Sequence, residues 1–172
     1  GAGEVIVSAG GGDVGSAIFA AALAAAARDD KRRWRVLVGG GMAPQRIAEL
    51  TADAPGNVIV QAARPDFRQM LHHAAASVSM CGYNTALDLL QTGCPAVLVP
   101  FDAGSEVEQG IRAEALARRP GIAVLRNAAL LPDSLLAALA EVTAAPRRTP
   151  MTQGMDGARA TIGIVEGLAA SR

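Results

Sequence analysis

Residues 5–17, VIVSAGGGDVGSA, indicate the architecture of this chain. A run of β-branched residues is followed by three consecutive glycines, a further glycine at position 15 and an alanine-rich segment of helical length. This pattern predicts a strand, a glycine-rich turn and a helix, the arrangement in which a helix N-terminus receives a phosphate group. Gly10, Gly12 and Gly15 also satisfy the G-x-G-x-x-G spacing of dinucleotide-binding turns. The turn could therefore bind a nicotinamide dinucleotide, a sugar nucleotide, or no phosphate.

Short apolar runs alternate with longer amphipathic ones along the whole chain. The predicted strands are Glu4–Ser8, Trp34–Val38, Asn57–Gln61, Ala76–Met80, Ala96–Pro100 and Ile122–Leu125. The predicted helices are Val14–Arg28, Pro44–Ala52, Asp66–Ala75, Thr85–Gln91, Glu106–Arg118, Pro132–Thr143 and Gly157–Ala169. The strands are almost uniformly apolar, as parallel strands covered on both faces are. The sequence thus predicts an α/β fold, a doubly wound, mostly parallel six-stranded Rossmann-like sheet with helices on both faces.

Glycine-rich segments follow the predicted strands, at Gly10–Gly12, Gly39–Gly41, Gly82 and Gly104. In doubly wound sheets, ligands bind beyond the carboxyl ends of the strands. We therefore expect a binding site at this edge. The proline- and arginine-containing segment 145–154 is instead predicted to be a solvent-exposed linker loop.

The composition excludes several classes of protein. The chain is 51% hydrophobic and carries 16 basic and 16 acidic residues, so it is globular and has no basic excess for a nucleic-acid partner. Its two cysteines and two adjacent histidines, His72 and His73, favour neither a disulfide framework nor a metal site. No apolar run is long enough to span a bilayer, so no transmembrane segment is predicted. The sequence predicts a cytoplasmic protein.

The end of the second predicted strand argues against a nicotinamide dinucleotide. Such a site needs an acidic residue there for the ribose hydroxyls, and the sequence has Gly39–Gly41. An alternative is that the glycines at positions 10–15 only permit a tight turn between strand and helix. Asp13, at the predicted N-cap, would repel a phosphate unless its side chain turns away.

Residues 79–116 read SMCGYNTALDLLQTGCPAVLVPFDAGSEVEQGIRAEAL. A strand reaches Gly82, a helix begins directly after it, Gly93-x-Pro95 leads into the next strand, and the following loop carries a Glu-Gln pair. This order resembles the C-terminal, donor-nucleotide-binding domain of family 28 glycosyltransferases. These enzymes have the two-domain GT-B fold and include the bacterial lipid-linked N-acetylglucosamine transferase of peptidoglycan synthesis. The resemblance extends from Gly11–Gly15 to the final helix.

The resemblance implies roles for two groups of residues. The positions that match the family's nucleotide-binding residues are Gly11, Gly12, Asp13, Ala62, Ala63, Gly82, Tyr83, Asn84, Thr85 and Asp88. Among them Asp88 takes the place of the acidic residue, commonly glutamate, that binds both ribose hydroxyls. A polar pair that contacts the donor sugar matches Glu108 and Gln109. Asp13 stands where the family usually has serine, and Glu108 where it has glutamine.

The function that the resemblance implies is that of a UDP-sugar-binding domain of an inverting hexosyl or N-acetylhexosaminyl transferase. The donor diphosphate would lie at helix N-termini while an acceptor hydroxyl attacks the sugar. The UDP-sugar is a substrate, and neither a cofactor nor a metal is implied. The catalytic residue is unknown, because the base is expected on an N-terminal acceptor domain that residues 1–172 lack. We expect this single donor-binding domain to be a metal-independent transferase that is inactive alone.

The partners that the resemblance implies are a nucleotide-sugar donor, the missing N-terminal domain or a separate subunit, and a lipid-linked acceptor. The protein would then be cytoplasmic, peripheral at the inner face of the membrane through the missing domain. We expect exposed apolar residues near Gly104–Gly110 and on the final helix, ready for that partner. Two alternatives remain on the same architecture: a nucleotide-sugar epimerase that uses Asp102, Glu106 or Glu108 as acid and base, and a non-catalytic nucleotide-sugar-binding module.

Overall fold

A computed structural model of the chain describes residues 3–9, 15–39, 43–102, 106–154 and 157–170. Its strands are β1 (Val5–Ala9), β2 (Trp34–Val38), β3 (Val58–Ala62), β4 (Ala76–Ser79), β5 (Ala96–Leu98) and β6 (Ile122–Val124). Its helices are α1 (Ser16–Ala26), α2 (Ala43–Ala52), α3 (Phe67–His73), α4 (Tyr83–Thr92), α5 (Glu108–Ala117), α6 (Pro132–Ala144) and α7 (Gly157–Ala170). Strands and helices alternate as predicted from the sequence.

The six strands form one sheet in the order β3-β2-β1-β4-β5-β6, and every pairing in it is parallel. The strand order reverses between β1 and β4, which are neighbours: Val5 is in register with Trp34 on one side and with Ala76 on the other. A crevice opens at such a reversal, where the connections leave in opposite directions. The predicted fold class is confirmed.

Alternate residues of the strands face two different hydrophobic layers, because the side-chain period of a strand is two. Val5 and Val7 face α1, α2 and α6, whereas Ile6 faces α3, α4 and α5. Both layers are fully buried at the centre of the sheet, which explains why the central strands are so uniformly apolar. The carboxyl ends of these strands are thereby held at fixed positions along one edge.

A buried polar cluster interrupts the second layer. Arg35 donates hydrogen bonds to both carboxylate oxygens of Glu4, at 2.6 and 3.1 Å, and to Oε1 of Gln61 at 2.9 Å. Glu4 is 3% exposed, so it needs this charged partner. The cluster joins β2 to β3 and to Glu4, the residue directly before β1. The prediction of almost uniformly apolar strands did not include it.

The segment 145–151, here called the strap, was predicted to be a solvent-exposed linker loop, and it is irregular and largely exposed. What the sequence did not indicate is that Arg147 and Arg148 anchor it by donating to main-chain carbonyl oxygens. The acceptors are Leu71 and Ala74 for Arg147, and Cys94, Pro120 and Gly121 for Arg148. The last carbonyls of a helix lack partners within the helix, and two guanidinium groups supply several donors at once. The strap therefore connects the ends of α3 and α4 to the residues that precede β5 and β6. These residues lie at the amino edge of the sheet, where the strands begin.

Several apolar side chains remain exposed. On α7 they are Ile162, Ile164, Val165 and Leu168, and beside the carboxyl edge they are Val107 and Ile111. All six are more than half exposed, as expected for the final helix and for the region near position 107. None of the described helices is long and apolar enough to cross a membrane.

Gly93 allows the strap to lie against α4. It ends α4 with φ +64°, and a Cβ built there lies 2.0 Å from the Arg148 carbonyl oxygen. Gly154 has φ +73° with nothing within 4 Å, so it is a matched control for backbone strain alone.

We expect Gly154→Ala to lower the free energy of unfolding by about 1–2 kcal/mol, the strain of a left-handed alanine. Gly93→Ala should cost at least about 2 kcal/mol more, because the strap backbone must move away from α4. Urea denaturation of the two variants measures this difference. Equal losses would contradict the close contact between strap and α4.

Candidate functional site

Two cavities lie side by side at the carboxyl edge and share Phe67 in their walls. The strand-end cavity has a volume of about 270 Å³ and is lined by Ser8, Ala9, Leu37, Gly39, Ala63, Arg64, Phe67 and Thr85. The α3–α4 cavity has a volume of about 620 Å³ and is lined by Pro65, Asp66, Phe67, Arg68, Gln69, His72 and Asp88. Three of the predicted site residues, Ala63, Thr85 and Asp88, are therefore in cavity walls.

At the start of α4, three main-chain amides precede the first hydrogen bond of the helix. Gly82 is the N-cap, with extended backbone and no side-chain hydrogen bond to the helix, and its carbonyl accepts from the Ala86 amide at 3.0 Å. The amides of Tyr83, Asn84 and Thr85 precede the first intrahelical bond and have no acceptor within the helix. Since the helix dipole is also positive here, the predicted residues 82–85 form an anion-attracting surface.

Asp88 lies one turn further along α4. Its Oδ1 accepts a hydrogen bond from Nε of Arg68 at 2.7 Å. The Asp88 side chain is 15% exposed and that of Arg68 is 57% exposed, so the carboxylate is sheltered in the cavity wall. The predicted phosphate and ribose residues thus follow one another along a single helix.

Ala62 ends β3, and Ala63 directly after it lies in the wall of the strand-end cavity. The Ala63 amide donates to the Val38 carbonyl at 2.8 Å, which continues the ladder between β2 and β3. This amide is therefore already used, and the Ala63 carbonyl is the main-chain group of that residue that remains for a base.

The predicted sugar-binding pair is split in the structure. Glu108 begins α5 with an exposed side chain. Gln109 turns inward instead, and its Oε1 accepts from the amides of Cys81, at 3.1 Å, and Phe101, at 3.2 Å. Gln109 thereby pairs two amides that follow β4 and β5, a structural role that the sequence did not indicate.

Arg112 is a site residue that the sequence analysis missed. Its Nη1 donates to the Cys81 carbonyl at 2.7 Å, and its guanidinium lies 5.9 Å from the centre of the Tyr83 ring. Arg112 is three residues beyond Gln109, and this spacing puts both on one face of α5. This three-residue spacing is the feature of the sequence that could have indicated a role for Arg112. The two side chains hold the amide and the carbonyl of the same residue, Cys81, immediately before α4 begins.

The glycine-rich loop after β1 is only partly described. Gly11, Gly12 and Asp13 lie outside the described residues. Gly15 packs against β1: a Cβ built there would lie 2.1 Å from the Ala9 Cβ. Close packing of helix and strand therefore explains this glycine, and its match to the dinucleotide spacing needs no nicotinamide cofactor.

Other reactive groups near the edge have structural surroundings. Burial raises the pKa of the Cys81 thiol to about 11, so it is protonated at neutral pH and a poor nucleophile. Asp102 accepts from the Asn127 side-chain amide at 3.0 Å, and Glu106 accepts from the Glu108 amide at 3.1 Å. Among the described residues no three His, Cys, Asp or Glu side chains gather as a metal-binding group.

Known proteins resemble this chain in both sequence and fold. The chain is 31% identical over 98 residues to the UDP-N-acetylglucosamine–N-acetylmuramyl-(pentapeptide) pyrophosphoryl-undecaprenol N-acetylglucosamine transferase of Desulforudis audaxviator strain MP104C, covering 57% of this chain and 26% of that protein. The crystal structure of Acinetobacter baumannii MurG has a TM-score of 0.62 at 19% identity, covering 80% of this chain and 41% of that one. The calicheamicin glycosyltransferase CalG4 has a TM-score of 0.65 at 27% identity, covering 83% and 34%.

The chain spans about a quarter of the length of the Desulforudis relative. Residues 6–161 match the family described as Glycosyltransferase family 28 C-terminal domain. That match runs from β1 into α7 and includes both cavities. The chain therefore belongs to the C-terminal domain family of family 28 glycosyltransferases, with the GT-B type of Rossmann-like fold.

Proposed function

We propose that this chain is the UDP-sugar-binding domain of an inverting hexosyl or N-acetylhexosaminyl transferase. One observation carries the proposal: the uncapped start of α4, the Asp88 carboxylate and the main chain after β3 border two adjoining cavities at the carboxyl edge. A nucleoside diphosphate needs a donor surface for its phosphates, an acceptor for its ribose hydroxyls and a slot for its base. The three features supply these in that order.

The diphosphate is proposed to lie at the amides of residues 83–85. Main-chain donors and the helix dipole favour an anion there. They favour the departing diphosphate more strongly still, because negative charge accumulates on it in the transition state. The guanidinium of Arg112, over the Tyr83 ring, adds a positive charge beside this surface. Gly11, Gly12 and Asp13 are proposed to approach the same phosphates from the β1 loop.

The nucleoside is proposed to lie across the two cavities. Asp88 would accept hydrogen bonds from the ribose hydroxyls, and the main chain of Ala62 and Ala63 would meet the uracil. The strand-end cavity, bordered by Phe67 and Leu37, has the mixed apolar and main-chain wall that planar ligands prefer.

The sugar is proposed to extend toward the start of α5. Gln109 uses its carbonyl oxygen internally, so its NH₂ group is the part that can donate to a sugar hydroxyl. Glu108, exposed at the first position of α5 with its Oε2 3.8 Å from Nη2 of Arg112, offers a carboxylate acceptor. These opposite hydrogen-bonding characters suit a polyhydroxylated ligand.

In the proposed reaction an acceptor hydroxyl attacks the anomeric carbon from the face opposite the diphosphate. The bond between that carbon and the phosphate oxygen breaks as the new carbon–oxygen bond forms, and the configuration inverts. The base that removes the hydroxyl proton is proposed to come from outside these residues. Metal-independent stabilisation of the leaving group by α4 and Arg112 completes the scheme.

The acceptor site is proposed to come from a further domain or a separate subunit. The relative from Desulforudis is about four times as long as the matched part, and its name specifies an acceptor linked through pyrophosphate to undecaprenol. The exposed apolar residues of α7, together with Val107 and Ile111, suit a partner that covers them. We propose a lipid-linked acceptor and a cytoplasmic location at the membrane face.

Donor selectivity tests the nucleotide site. We expect UDP to bind and NADH not to bind, because the end of β2 carries Gly39–Gly41 in place of an acidic residue. Asp88→Asn keeps the size of the side chain and removes its charge. Each charge-assisted hydrogen bond to ribose contributes about 1.5–3 kcal/mol, so the Kd for UDP should rise by roughly 10-fold or more.

Isothermal titration calorimetry measures both Kd values. Asp133→Asn is the matched control, because Asp133, at the start of α6, is an exposed carboxylate 2.7 Å from Arg28. The Kd of this variant for UDP should be unchanged. Binding of NADH comparable to that of UDP would contradict the assignment.

Two substitutions of Gln109 separate its structural role from its proposed sugar contact. Gln109→Glu keeps an oxygen for the Cys81 and Phe101 amides and removes the NH₂ donor. It should fold with nearly unchanged stability but lose affinity for UDP-N-acetylglucosamine relative to UDP. Gln109→Ala leaves both amides unpaired and should lower the free energy of unfolding by about 1–3 kcal/mol. Calorimetry and urea denaturation measure the two effects; equal weakening of both ligands by Gln109→Glu would disprove the sugar contact.

We expect the 172 residues alone to bind donor without transferring its sugar. Holding two reactants in attack geometry contributes about 7–11 kcal/mol of barrier lowering, and the acceptor site is proposed to lie outside these residues. Product analysis after incubation with UDP-N-acetylglucosamine and a lipid-linked acceptor tests this. Transfer by this chain alone would contradict it, and conversion of the donor without acceptor would support the epimerase alternative.

A further inference from the structure

We infer that Arg68 is a positioning residue that orients Asp88 for the donor ribose. This inference rests on the proposed nucleotide site. Arg68 is on α3 and Asp88 on α4, 20 residues apart, and Nε of the arginine donates to Oδ1 of the aspartate at 2.7 Å. Both side chains line the α3–α4 cavity. Arg68 therefore lies in the wall of the proposed ribose site without belonging to any motif in the sequence.

The ion pair with Arg68 engages one carboxylate oxygen of Asp88 and leaves the other available to a ligand. Among the described residues, Oδ2 of Asp88 has no hydrogen-bond partner within the chain, while Oδ1 is held by Arg68. A carboxylate rotates about a broad terminal torsion, so a partner on one oxygen determines where the second one is presented. We infer that Arg68 presents Oδ2 to a ribose hydroxyl.

The short side chain of aspartate makes this orientation important. Asp88 extends from the second turn of α4 and is only 15% exposed, whereas the arginine that reaches it is 57% exposed. An ion pair with so exposed a member contributes little to stability. Its consequence is the fixed geometry of the sheltered carboxylate, which is a binding property.

The surrounding charges do not duplicate Arg68. Arg64 at the neighbouring cavity pairs with Asp66 at 2.7 Å, and Arg112 donates to Cys81 at the start of α4. Neither guanidinium holds Asp88 in the structure. Removing Arg68 should therefore release the carboxylate without a substitute.

The readout is the ratio of Kd for 2′,3′-dideoxy-UDP to Kd for UDP, measured by calorimetry on the 172-residue chain. Both ligands carry the same diphosphate, so a general change in charge or fold cancels in this ratio. The wild-type ratio should be about 10 or more, since it reflects charge-assisted hydrogen bonds to the hydroxyls. Arg68→Ala should reduce it by about 3-fold or more, toward the ratio of Asp88→Asn.

Three further variants test whether Arg68 acts through Asp88 and not through a general change in charge. Arg68→Lys should restore part of the ratio, because lysine returns the charge without the planar guanidinium. The double variant Arg68→Ala/Asp88→Asn should match Asp88→Asn alone, since the arginine acts through the aspartate. Arg28→Ala removes another 2.7 Å surface ion pair and should leave the ratio unchanged.

Two results would overturn the role of Arg68 while leaving the nucleotide site intact. One is an unchanged Kd ratio in Arg68→Ala. The other is a ratio in the double variant that is lower than in Asp88→Asn alone. Failure of the wild-type chain to bind UDP at all would overturn the proposed function together with this inference. The melting temperature of Arg68→Ala should stay close to that of the wild type, so the two cases are distinguishable from loss of fold.

Discussion

The two hydrogen bonds between side chains of α5 and the main chain of Cys81 are the contact on which the geometry of the carboxyl edge depends. Gln109 accepts from the Cys81 amide and Arg112 donates to its carbonyl, so both polar groups of one peptide position are held by one helix. The next residue is the N-cap of α4. This contact, together with the packing of Ala86 and Leu89 in the second layer, sets the direction in which α4 leaves the sheet and thus where the amides of residues 83–85 lie.

The two edges of the sheet have opposite roles. At the amino edge the strap satisfies carbonyl groups with Arg147 and Arg148, so that edge is closed by charged donors. At the carboxyl edge, main-chain donors at residues 83–85 precede the first intrahelical bond of α4. Parallel strands make this division natural, since every strand enters at one edge and leaves at the other.

Periodicity predicted the elements closely but not the long-range polar pairs. β2 was predicted with its observed bounds, Trp34–Val38, because alternating apolar runs bounded by turn residues are local signals. The partners of Arg68 and Arg147 are 20 and 76 residues away along the chain, and nothing in the neighbouring sequence indicates them. The roles of the site residues came from the family resemblance, which gave positions but not that Gln109 faces inward.

The most direct test of the central claim, that a nucleoside diphosphate binds at the start of α4, is amide mapping by NMR. UDP added to ¹⁵N-labelled protein should shift the amides of residues 83–85, Asp88 and Ala63. The strap amides in segment 145–151 should not shift, because the strap contacts the C-terminal end of α4, the end far from residues 83–85. Shifts confined to the strap or to α7, or no shift at residues 83–85 under saturating UDP, would contradict the account.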